Sequence, residues 1–128
     1  MSKKTPINTP QAPAPIGPYS QAIEAGDFLF VSGQIGIDPA TGELVTADLE
    51  AETRQVMANI GAILEQAGLS YAHVVKTSIF LQNMDDFAQV NAIYGSYFEA
   101  DYPARETVEV SRLPKGVKVE ISVIAVRK

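Results

Sequence analysis

Between about Asp48 and Ala67, the apolar residues Leu49, Val56, Met57, Ile60, Ile63 and Leu64 recur at helical spacing, and Gly68 follows where a helix would stop. A second set, Phe87, Val90, Ile93, Tyr94, Tyr97 and Phe98, predicts another amphipathic helix, with carboxylates offered for capping in the preceding "NMDD". Elsewhere the period shortens. "YSQAIEAGDFLFVSGQI" reads as two strands joined at Ala25-Gly26-Asp27, a hairpin signal. "VVKTSIFL", Val74 to Leu81, is a β-branched strand, and two more follow at about Glu106–Ser111 and Val117–Val126, divided by "LPKG". Ahead of all of these, "TPQAPAPIGPYSQ" carries four prolines and predicts an arm (residues 1–18) without regular structure. The order ββ-α-β-α-ββ indicates an α+β fold, with both helices on one face of a mixed sheet.

Such a sheet leaves its other face uncovered. In the last strand Val117, Val119, Ile121 and Val123 point one way, and Lys118, Glu120, Ser122, Ile124 and Val126 the other. The second face is mixed, which suits packing against another subunit around a few polar positions.

The length, 128 residues, predicts one domain spanning 1–128. A net charge of −5, with ten basic residues forming no run, argues against a nucleic-acid groove. The chain has no cysteine, which removes disulfides, thiolate chemistry and cysteine-ligated metals, and its one histidine, His73, removes sites built on several imidazoles. The opening "MSKK" leads into no apolar h-region and no run reaches membrane-spanning length, so a cytoplasmic protein with no membrane partner is the expectation.

Polar residues that interrupt strands are the candidates for chemistry. In "YPARETVEV", Arg105 and Thr107 alternate with Val108 and Val110, which predicts that they share the sheet's polar face with Glu120. Arg105 is either a solvated edge charge or a fixed fork for a carboxylate. Gly33 inside the apolar "FVSGQI" marks either a bulge or a place where a ligand nears the backbone, and Ser32 beside it offers a hydroxyl. Tyr19 is a packed aromatic or a hydroxyl aimed into a cleft. Asn91 needs partners if buried, or caps a loop.

Together, "APIGPYSQAI", "FVSGQI", "TGE", "VVKTSIFLQNMDDFAQVNAIYGSYF", "YPARETVEVSRLP" and "VEISVIAV" resemble the Rid (YjgF) family, the reactive intermediate deaminases, over about Ala14 to Val126. The resemblance implies a chorismate-mutase-like fold and a homotrimer with clefts between subunits. It also implies hydrolysis of enamines and imines, such as 2-aminoacrylate, 2-iminopropanoate and 2-iminobutanoate, to 2-oxo acids and ammonia, without metal or organic cofactor. Matched by motif, the family's carboxylate-binding arginine falls on Arg105 and its acidic residue on Glu120. Tyr19, Ser32, Gly33 and Asn91 fall on its other site positions. Thr107 stands where many members have cysteine, so any role that depends on a thiol is ruled out.

The residue types suit that chemistry. A guanidinium holds a carboxylate with two parallel charge-assisted hydrogen bonds, and Glu120 is the proton shuttle among these residues. The resemblance also implies a strand between those of Arg105 and Glu120, a separation too wide for a three-carbon substrate, so the two should meet only across a subunit interface. A non-catalytic 2-oxo acid or amino acid binding module is the alternative, and the acidic charge counts against an RNA-directed role.

Overall fold

In the computed structural model, which describes residues 3–127, the strands are β1 (Lys4–Ile7), β2 (Ala22–Ala25), β3 (Phe28–Gln34), β4 (Val74–Leu81), β5 (Ala104–Glu109) and β6 (Val119–Val126). The helices are α1 (Leu49–Gln66) and α2 (Phe87–Gly95). Helix α1 starts where its chemistry allows: Asp48 accepts the Ala51 N–H at 2.7 Å, satisfying one of the amides a helix start leaves unpaired. Past its last residue, Gln66, and its C-cap, Ala67, comes Gly68, whose φ of 78° is open to glycine at little cost, and whose N–H donates to the Glu65 carbonyl at 2.9 Å. His73 is used locally: its Nδ1 accepts the Ser70 N–H at 3.0 Å in a short capped turn.

The sheet order is β1-β2-β3-β6-β4-β5, with β4 and β5 parallel and the other neighbours antiparallel. Both helices lie over one face, as an α+β mixed sheet requires. Leu29, Val31, Ile79, Leu81, Val119, Ile121, Val123 and Ala125 of the sheet pack there against Val56, Met57, Ile60, Ile63 and Leu64 of α1 and Val90 and Tyr94 of α2. All are buried, and burial of each larger aliphatic side chain stabilises the fold by about 1.5–3 kcal/mol. The opposite face carries Phe28 and Phe30 (46% and 45% exposed), their ring centres 6.1 Å apart and planes tilted by 33°, beside the half-buried Ile124 and Val126. Among the described residues no helix is long and apolar enough to cross a membrane.

Four expectations need correction. The proline arm is not wholly irregular: Lys4–Ile7 forms an edge strand on β2. An edge strand can hold Pro6, and with mostly exposed side chains it shows no apolar alternation. (Met1 and Ser2 of that arm, and Lys128, lie outside the described residues.) Strand β5 runs from Ala104 rather than about Glu106, and β6 starts at Val119, because Pro114–Gly116 forms a short turn that delays it. At the second helix, neither aspartate of "NMDD" caps α2 by its side chain, Asn83 instead accepting the Asp85 N–H at 2.9 Å in the 3-10 turn Met84–Asp86, and α2 stops at Gly95, so Tyr97 and Phe98 lie beyond it.

The fourth correction bears on function. Arg105 and Thr107 do not share a face with Glu120. Arg105 is in register with Thr77, which is fully buried and accepts a hydrogen bond from Tyr94 of α2 at 2.9 Å, so this side of β5 looks toward the helices. Glu120 is in register with Phe80, and its β6 neighbours Val119 and Ile121 are the buried ones. The alternation of β5 misleads because α2 is short and leaves the outer strand's helix side open to polar residues. Val108 is left on the uncovered side, 40% exposed.

Candidate active site

The sheet carries two clusters of the predicted residues. One forms around Glu120. The register of β3 with β6 shifts between Val31 and Gln34, so Ser32 and Gly33 sit in a bulge. The Glu120 side chain lies directly against that bulge. A Cβ on Gly33 would sit 2.9 Å from its Cδ and closer still to its Oε2, so only glycine leaves room for the carboxylate there. The bulge and the close approach are one feature. Burial pushes the Glu120 carboxyl above its ordinary pKa, and no hydrogen bond from the described residues offsets this. The group looks into a cavity of about 350 Å³ whose lining includes Tyr19, Ser32, Gly33 and Ile35.

Ser32 and Tyr19 take more structural parts than their motif suggests. The Ser32 hydroxyl donates to the Ser20 carbonyl at 2.6 Å, and its N–H to the Gln21 carbonyl at 2.9 Å, so its proton is committed to holding the chain after the arm. Tyr19 is 49% exposed, and its hydroxyl accepts the Ile16 N–H at 3.4 Å. It is a rim residue of the cavity.

The second cluster forms at the start of β5. Arg105 donates to Asn91 Oδ1 on α2, and its Cζ stands 5.4 Å from the Phe87 ring centre and 5.6 Å from that of Tyr94. Two aromatic faces and an amide thus fix the guanidinium plane, while the side chain stays exposed. Burial raises the pKa of Tyr94 against a smaller opposing pull from Thr77 and Arg105, which keeps it a neutral donor to Thr77. The recess here, about 430 Å³, is lined by Asn91, Tyr94, Gly95, Tyr102, Pro103 and Arg105. Thr107 lies two residues on, in register with Ile79, and its Oγ1 is buried without a hydrogen-bond partner. A buried hydroxyl left without any partner costs about 1–3 kcal/mol.

Within one protomer the clusters do not meet. Glu120 pairs with β4 three residues beyond the partner of Arg105, and β4 lies between their strands. At ~3.3 Å per residue and ~4.8 Å per strand this puts their backbones on the order of 14 Å apart, with the side chains on opposite faces. Arg105 is thus solvent-exposed, with its guanidinium oriented by Asn91, Phe87 and Tyr94.

Sequence reasoning missed the residues that hold these clusters in place. Buried Glu52 accepts the Lys118 and Val119 N–H groups at 2.8 and 3.3 Å, setting the start of β6. Fully buried Asn59 donates to the Ile35 and Ile37 carbonyls at 3.2 and 3.0 Å, setting the segment after the bulge. Buried Gln21 bonds the arm at four points. A signal existed for the first two: Glu52 and Asn59 are seven apart on the apolar stripe of α1, where a polar residue needs a partner.

The comparisons with known proteins agree with this architecture. Residues 9–127 match the family model described as Endoribonuclease L-PSP. A protein of Escherichia coli K12 named 2-iminobutanoate/2-iminopropanoate deaminase is 50% identical over 125 residues, covering 95% of this chain and 97% of that one. Among solved structures, YyfA of Yersinia pestis, a protein of unknown function of the conserved Rid family, superimposes with a TM-score of 0.95. It is 54% identical, over 97% of this chain and 99% of its own. TdcF of E. coli with bound serine gives 0.93 at 43% identity, over 97% and 99%. With its motifs, its sheet order and almost its whole length in agreement, the chain belongs to the Rid family, which is also the Endoribonuclease L-PSP family.

Proposed function

We propose that this protein is an imine deaminase that hydrolyses small 2-imino acids, 2-iminopropanoate and 2-iminobutanoate among them, to 2-oxo acids and ammonia. The observation that carries the reading is Glu120, an unpaired carboxyl of raised pKa pressed against the bare Cα of Gly33 at the wall of a cavity. A relative of 50% identity named for that reaction supports it.

Arg105 holds the substrate carboxylate. Asn91 takes one of its five donors and the aromatic rings fix its plane, which leaves the rest of the fork for two parallel bonds. With the carboxylate fixed, the adjacent C=N carbon is presented to water. Glu120 removes a proton as the water oxygen bonds to that carbon, and the imine nitrogen takes up a proton as the π bond opens. The tetrahedral adduct then collapses: the carbon–oxygen double bond forms, the hydroxyl proton leaves, and the carbon–nitrogen bond breaks with a further proton delivered to departing ammonia. A carboxyl whose pKa burial raises above the ordinary value is a better proton acceptor than a solvated one and returns the proton in the next step, and such help contributes ~10²–10⁴ in rate.

Because Arg105 and Glu120 lie on opposite faces, the working site is built from two copies. We assign the open sheet face, with Phe28, Phe30, Ile124 and Val126, as the surface that joins them in a homotrimer.

The test generates 2-iminobutanoate in situ from threonine with a dehydratase and follows 2-oxobutanoate release. Wild type is expected to accelerate it. Loss of a bidentate pair at ~1.5–3 kcal/mol per bond lowers the specificity constant of Arg105→Ala by ~100-fold or more. Arg105→Lys fails as well, since an ammonium keeps the charge and loses the planar fork. Binding of 2-oxobutanoate without any acceleration would instead make the protein a 2-oxo acid binding module.

A further inference from the structure

Two chain segments converge at the contact between Glu120 and Gly33, and one helix grips both. Strand β6 is entered through Lys118 and Val119, whose N–H groups donate to a single oxygen of Glu52, Oε2, at 2.8 and 3.3 Å. The segment leaving β3 is held two helical turns further along α1, where Asn59 donates to the Ile35 and Ile37 carbonyls. Between those carbonyls, Gly36 is packed on Glu52 itself. A Cβ there would come within 3.0 Å of the Glu52 Cγ and 3.1 Å of its carbonyl oxygen. Glu52 and Asn59 are both buried, on the helix side of the sheet and inside one protomer.

A carboxyl group is costly to bury unless its oxygens are hydrogen-bonded, and the neighbouring Val56 and Met57 show that an apolar side chain suits this stripe of α1. What Glu52 supplies is an acceptor for the last two N–H groups before Glu120. Any slip or rotation at that entry moves the Glu120 carboxyl against the bare Cα of Gly33. There is no slack there, since a Cβ on Gly33 would already sit 2.9 Å from the Glu120 Cδ.

We propose that Glu52 is a positioning residue for the reaction, setting where Glu120 stands against Gly33, and that it acts as a hydrogen-bond acceptor rather than as a charge. This rests on the deaminase reading and adds to it a residue that touches no substrate. Because Arg105, in the other cluster, holds the substrate carboxylate, Glu52 governs kcat and leaves KM alone.

The experiment follows 2-iminobutanoate hydrolysis across pH for wild type, Glu52→Ala, Glu52→Gln, Gly36→Ala and Asp48→Ala. Glu52→Ala lowers kcat about tenfold or more, as a misplacement of under about an ångström can, with KM within about twofold of wild type. The acid limb of its pH–rate profile moves to lower pH, because a displaced Glu120 is better solvated. Glu120 is in register with Phe80 on β4 and faces the bulge of β3, so Tyr19 is the other titratable group lining its cavity. Carbon-13 NMR of labelled glutamate carboxyls therefore assigns the limb, with Glu120→Gln identifying the signal.

Gly36→Ala presses a methyl group on Glu52 and leaves its carboxyl in the chain, so it carries the same prediction should Glu52→Ala fail to fold. Glu52→Gln keeps an acceptor oxygen and stays within about threefold of wild-type kcat, with the limb unmoved. Asp48→Ala weakens α1 as a whole and changes neither. Wild-type kcat in Glu52→Ala or Gly36→Ala overturns the proposal, and so does a loss in Glu52→Gln or Asp48→Ala equal to theirs. Should wild type hydrolyse no imine, the deaminase reading fails. The NMR titration of Glu120 then decides alone, and a midpoint unchanged in Glu52→Ala and Gly36→Ala overturns the positioning role.

Discussion

At the scale of the residue, the informative contact is between a carboxylate and a missing methyl group. Glu120 is held where its charged form is disfavoured by burial, which has a consequence for stability as well as for proton transfer. A folded-state pKa above the unfolded value means that this group's contribution to stability is fully present below the ordinary carboxylate pKa and is lost as pH rises through the folded value. Glu120→Gln should therefore melt at a higher temperature than wild type at pH 7, with the difference closing by about pH 4, where the unfolded carboxyl is also protonated. Turnover moves the opposite way, falling on the order of 100-fold or more because an amide cannot shuttle protons. Thermal melts at the two pH values and the imine assay check both; a variant less stable at pH 7, or of undiminished turnover, contradicts this account. Arg105, Glu120 and Gly33 were legible in the sequence as candidates, because polar residues and a glycine stand out in apolar strands. Their faces were not, since period-two alternation says which residues lie together and not which side is covered.

At the scale of the element, local chemistry predicted which elements form better than where they begin and end. The eight residues of β4 were legible to the residue, being a β-branched run with no competing signal, and the hairpin joint read at Ala25-Gly26-Asp27 was off by one, since Ala25 ends β2 and the turn is Gly26-Asp27, where Gly26 has a φ of 60°. Strand β1 was not, because it is held by the backbone ladder of β2 and by no apolar pattern of its own. Helix α1 depends on its start. Asp48→Ala removes the bond to the Ala51 N–H and a negative charge at the positive end of the helix, and should cost about 1 kcal/mol, within the ~0.5–2 range for such caps. Since α1 carries Glu52 and Asn59, the effect is expected in thermal stability first. A melting temperature unchanged within error would show that the first turn is held by packing alone.

At the scale of the whole molecule, the separation of Arg105 from Glu120 becomes a counting experiment. Arg105→Ala and Glu120→Gln should each be nearly inactive alone. If each site in a ring takes one face from each of two neighbours, co-refolding the two variants in equal amounts restores roughly a quarter of wild-type activity. A site contained in one protomer gives none. The sheet order has a further consequence, for how the chain comes to be folded at all. The last of the described strands, β6, occupies an interior position, flanked by β3 and β4. Until residues 119–126 leave the ribosome, two apolar strands therefore have no neighbour on their inner edges, and the hairpin of β2 and β3 cannot be stitched to the half that holds β4 and β5. The nascent protein is two incomplete sheets awaiting a zipper, and its exposure to aggregation is set by the time between the synthesis of Val74 and that of Val126.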